Sequence, residues 1–102
     1  MTVDGAFIDR PQIGPAYDDR PGHPYERAVR ELYLREHYLP ITQSGGLSIA
    51  NSIRELVASI CDGLDFPDRQ KDGRKRLVKE IVTYDDGRCT ERVAAALHGF
   101  LA

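Results

Sequence analysis

Three histidines, two cysteines, one misplaced glutamate and a run of cations are the residues of this 102-residue chain with chemistry to offer. Metal ligation needs side chains that converge, and His23, His37 and His98 form no His-x-x-x-His or Glu-x-x-His pair. The sequence therefore points to no metal and no cofactor. Cys61 follows Val57 by four residues and precedes Leu64 by three, a spacing that turns its thiol onto an apolar stripe as a small hydrophobe. Cys89 precedes Thr90, the expected cap of the last helix, where the positive helix end favours a thiolate, but no histidine is paired with it. The two cysteines match no zinc or redox spacing, so two free thiols are expected.

Glu36 falls between Leu32 and Leu39 on a helical wheel, in the middle of an apolar face, where an unpaired carboxylate is costly. A buried arginine partner, a helix that ends before Glu36, or an interface would each satisfy it. A general acid or base would be the catalytic reading, and no second catalytic group is identifiable. Ser44-Gly45-Gly46 precedes a helix but lacks the lysine and the glycine spacing of a phosphate loop, so a flexible connector explains it equally well.

Charge is the more informative signal. The chain carries 14 Lys and Arg against 16 Asp and Glu, yet residues 66–83 hold a local charge of +3 within acidic surroundings. Arg69, Lys71, Arg74, Lys75, Arg76 and Lys79 make up this run, and Lys75, Arg76 and Lys79 share one flank of a helix in a layout able to track phosphates. A solvated helix face is the alternative.

These residues need elements to position them. Residues 1–22, rich in Pro, Gly and Asp and without periodicity, read as an extended or disordered N-terminal arm. Its apolar residues Phe7, Ile8, Ile13 and Tyr17 suit docking onto a groove. Residues 23–102 read as the helical domain. A first helix from Pro24 to about Leu39, stopped by Pro40, aligns Tyr25, Ala28, Val29, Leu32 and Tyr33, and ion pairs such as Arg27 to Glu31 support its solvated flank. Leu34 and Tyr38 fall opposite that stripe, which makes the helix two-sided. A second helix, capped by Ser48, carries the cleanest stripe: Ile49, Ile53, Leu56, Val57, Ile60 and Leu64. Helical periodicity predicts a third over 74–84, with a strand as the competing reading because Ile81-Val82-Thr83-Tyr84 is β-branched and aromatic. A fourth begins at Thr90, with Val93, Ala96, Leu97, Phe100 and Leu101 facing inward.

The expected fold is an all-α, small four-helix domain with an extended arm. No apolar run is long enough to span a bilayer, and Asp4 and Asp9 interrupt the N-terminal region where a secretory signal would lie, so a cytoplasmic protein is expected. About 80 residues make a marginal core, which favours oligomerisation, a homodimer included. The functional expectation is a non-enzymatic protein-interaction module, a regulator, inhibitor or assembly factor, acting through Leu34, Tyr38 and the arm. A nucleic-acid-binding regulator using the basic run is the alternative, and a small enzyme built on Glu36 or Cys89 is a third reading.

Overall fold

The structure, a computed structural model, describes residues 2–18, 20 and 23–102, without the side chains of Tyr25 and Glu26. Helices dominate it: α1 (Thr2–Phe7), α2 (Pro24–Leu32), α3 (Leu39–Gln43), α4 (Ile53–Asp65), α5 (Lys71–Ile81) and α6 (Cys89–Leu101). Two short strands, β1 (Ile13–Pro15) and β2 (Ser48–Ala50), pair in parallel, so the expected all-α four-helix domain gives way to a mostly helical fold with a small sheet.

The first correction concerns the arm. Among its described residues it is neither disordered nor wholly extended, because α1 lies on α5 and β1 pairs with β2. The register sets Ile13 against Ser48, Gly14 against Ile49 and Pro15 against Ala50, and flanking bonds from Ser48 N to Gln12 O (3.0 Å) and Ala16 N to Ala50 O (2.7 Å) extend it. Pro15 has no N–H to give, which a strand end tolerates. Tyr33 lies over Gly14 so closely that a Cβ there would sit 2.7 Å from its hydroxyl, and that hydroxyl donates to Pro15 O at 3.2 Å. Residues 1, 19, 21 and 22 of the arm lie outside the described residues.

The second correction is the first helix, which ends at Leu32 rather than Leu39. A turn and a single 3-10 turn (Glu36–Tyr38) follow. Pro40 then sits in the first turn of α3, where its missing N–H is no loss, so it starts a helix instead of stopping one. Tyr25, expected on the apolar stripe, has a side chain outside the described set, as does Glu26.

Helix α4 starts later than expected, since Ser48 belongs to β2 and the cap is Ser52. The Ser52 hydroxyl accepts from Glu55 N at 3.2 Å, and the Glu55 carboxylate reaches one residue past the cap to accept from Asn51 N at 2.7 Å, a variant of the capping box. Helix α5 runs over 71–81 instead of the expected 74–84, while Val82, Thr83 and Tyr84, on which the strand alternative rested, lie in neither helix nor strand, and α6 begins at Cys89 rather than after Thr90.

Packing centres on α5. The loop 44–46 crosses it so tightly that a Cβ on Gly73 would collide with the carbonyl group of Gly45, and one on Gly46 would stand 2.7 Å from Arg74 N. Only glycine permits two backbones to meet so closely. Leu77 is fully buried beside them, and Ala6, Ala16, Leu47 and Ala50 are the other buried apolar residues among those described. This is a small core of mostly small side chains. The molecule is accordingly open, 58 × 34 × 16 Å with a radius of gyration of 17.2 Å, against about 13 Å for a compact chain of this length.

Candidate interaction surfaces

The cationic run does not act as one surface. Arg74 is 1% exposed: its Nε donates to Asp9 Oδ1 at 2.8 Å and its Nη2 to Pro67 O at 2.8 Å, while Nη1 is buried without a partner. The hydrogen bond from Arg74 is the main reason that the Asp9 carboxyl is held below its ordinary range. Lys71 lies 3.4 Å from Asp68 Oδ1 and 3.6 Å from Asp9 Oδ2, and these carboxylates, Asp68 foremost, raise its pKa. Arg69 pairs with Asp62 and stacks over Phe66, and Arg76 donates to Ser44 O at 3.1 Å. Lys75 and Lys79 instead edge an open groove of about 380 Å³ between α1 and α5, walled by Phe7, Val78 and Tyr84.

The expected interface residues scatter. Phe7 and Ile8 are exposed at the end of α1, Ile13 is half-buried in β1, and half-buried Tyr17 lines a shallow apolar recess with Ile53 and Leu56. Leu34 is 73% exposed but sits in the turn after α2, and Tyr38 packs edge-on against Tyr33 with ring centroids 5.6 Å apart. Leu34 and Tyr38 therefore share no α-helical face, because the helix that would have aligned them is broken. The same break explains Glu36, which is exposed at the start of the 3-10 turn. Ser44 is buried, its hydroxyl donating to Ile41 O at 2.7 Å and accepting from Gly46 N at 3.0 Å, so this loop turns its donors inward.

A larger surface comes from residues expected to form the core. Ile53, Val57, Ile60 and Leu64 of α4 are exposed, and so are Val93, Leu97, Phe100 and Leu101 of α6, the last two at 93% and 88%. Cys61, expected to pack in the core, is exposed with them, as is Cys89. Periodicity aligned residues 53–64 and 93–101 on single helix faces, but Ile49, the expected head of the first stripe, lies in β2, and the faces expected to turn inward are largely exposed. What spacing cannot say is that the faces do not meet within one chain.

A local elbow aims α6 away. At the end of α5 the backbone turns left-handed at Thr83 (φ 66°), an uncommon conformation for a β-branched residue, and turns so again at Gly87 (φ 71°). Arg92 forms a paired contact with Asp86, with Nη1 to Oδ1 at 2.9 Å, and its guanidinium lies 3.9 Å from the Tyr84 ring centroid. Asp86 also accepts from Arg88 N at 3.1 Å, and Arg88 pairs with Glu91 at 2.7 Å. The Arg92 hydrogen bond, then that from Arg88, lowers the Asp86 carboxyl to about 2. Bonds between the connector and the first turn of α6 thus set its direction.

Among the described residues, no group of three or more His, Cys, Asp or Glu converges on a point able to hold a metal ion, and no helix is long and apolar enough to cross a membrane. No family model matches the chain, and none of the curated proteins or solved structures compared with it is similar.

Proposed function

We propose that this protein is a non-enzymatic helical interaction module, a regulator, inhibitor or assembly factor that works by presenting apolar helix faces to another polypeptide. One observation carries the reading: α4 and α6, the two longest helices, leave most of their apolar stripes in solvent, half-buried Leu56 excepted. Contiguous apolar surface of that kind is costly in water and marks a place where protein binds protein. The groove beside Lys75 and Lys79 and the exposed Phe7 and Ile8 extend the available surface toward α1. Free, exposed Cys61 and Cys89 suit a reducing, cytoplasmic setting.

Nucleic acid binding is the weaker reading, because Arg74 is committed to the interior and Lys71 and Arg69 to neighbouring carboxylates. Lys75 and Lys79 alone offer little charge for tracking phosphates.

A photo-reactive amino acid in place of Ile60 or Leu97, activated in cells producing the full chain, tests the proposal. Discrete adducts to polypeptide at both positions are expected. Folded protein that forms none at either position would overturn it.

A further inference from the structure

We infer that the occupant of the α4 and α6 faces is a second copy of this chain, with α6 of each copy lying on α4 of the other. The inference rests on the interaction-module reading and commits it to a symmetric dimer.

Surface area is the first argument. The chain exposes 7735 Å², whereas a compact monomer of its size exposes about 5,800 Å². The excess is about 1,900 Å², within the roughly 1,000–2,500 Å² that each partner of an obligate homodimer contributes. A chain able to bury that surface on a copy of itself reaches the ordinary exposure of a folded protein.

Length supplies the second. Helices α4 and α6 have 13 residues each, or about 20 Å, so one stripe can cover the other from end to end. A two-fold operation then makes both contacts at once and leaves neither stripe open, giving a closed pair and not a filament.

The elbow is the third. Asp86, Arg92 and Tyr84 fix the exit of α6 through local bonds, and none of its apolar residues is buried against its own chain. A helix held clear of its own body by a bonded connector is placed to dock on another copy, the geometry of an exchanged element. Asp65, at the C-terminal end of α4, would lie by the N-terminus of a partner α6 in antiparallel packing, where a carboxylate is favoured.

Light scattering after size exclusion, at micromolar concentration, supplies the test with three full-length proteins: wild type, Val57→Asp and Leu97→Lys. Both altered positions are exposed in the single chain, so each variant retains its fold, checked by circular dichroism. Wild type is expected to be a dimer, and each variant alone to associate at least ~100-fold more weakly. Mixing the two variants restores a dimer, because one α4–α6 contact is then unaltered and the other sets the introduced carboxylate against the introduced ammonium. Variants that remain dimeric alone, or a mixture that stays monomeric, would overturn the exchange of α6.

A monomeric wild type would overturn the inference as well, and hydrogen exchange then separates the two readings. Fast exchange in α6 leaves the faces uncovered and the interaction module standing with a foreign partner. Slow exchange means that the chain covers its own faces, and both readings fail.

Discussion

Helices α5 and α6 invert one another. Helix α5, the more polar in sequence, lies at the centre of the fold and buries an arginine, whereas α6, with four large apolar residues on one face, buries none of them. Helix α5 is held by polar bonds that span the chain and by backbone contact at glycines. Helix α6 is held by its connector. Burial here follows from which surfaces can reach one another within a single chain, and amphipathicity alone predicts the reverse order.

The largest expected effect comes from the buried cation. Arg74→Ala removes two charge-assisted bonds and the packing of the side-chain stem, and should lower the unfolding free energy by about 3 kcal/mol, read from the denaturant midpoint. Arg74→Met keeps most of the volume and relieves the unpartnered Nη1 but gives up the bonds to Asp9 and Pro67 O, so a smaller loss of about 1–2 kcal/mol is expected. Equal losses in the two variants would mean that charge, and not packing, holds α5.

Gly73→Ala comes next. Its new methyl would collide with the Gly45 carbonyl carbon, and the loop must lift, for about 1–3 kcal/mol by the same measurement. On α6 the effect should reverse in kind. Phe100→Ser is expected to change the stability of dilute monomer by less than about 0.5 kcal/mol, while weakening self-association in sedimentation at micromolar concentration. A large loss in dilute monomer would erase the contrast between the helices.

The smallest effect belongs to the elbow. The folded Asp86 carboxyl titrates at about 2, below its unfolded value, so its contribution is present above the ordinary carboxylate range. It fades as pH falls toward 2. Because the pair is exposed, the change is slight, visible as a loss of helical circular dichroism between about pH 4 and about pH 2 that Asp86→Asn lacks. Identical profiles for the two proteins would show that Asp86 does not hold α6.

Local features were legible and distant ones were not. The stripes of α4 and α6 follow from spacing of three and four, and the helix at 71–81 from the charge pattern and propensity of Lys75 to Glu80. Ser52 and Glu55 carry a capping pattern that marks the start of α4, but Ser48 offers a competing cap at the head of the same stripe. The sheet was out of reach: each strand has three residues, one contains Gly-Pro, and the partners are 35 positions apart in register. The burial of Arg74 depends on Asp9, distant in sequence, so a charge run was the natural reading of that segment. Gly45 and Gly46 read as a flexible connector but, with Gly73, mark a close crossing.

The Asp9–Arg74 pair also orders events in time. Sixty-five positions separate its members, so on a ribosome the N-terminal segment emerges long before the helix that receives it. Until α5 has emerged, Ala6 in α1 has no wall to pack on, whereas β1 and β2 both precede α5 and can already pair. Closure of that long loop therefore waits for α5, and until then the segments it joins lack the wall they share.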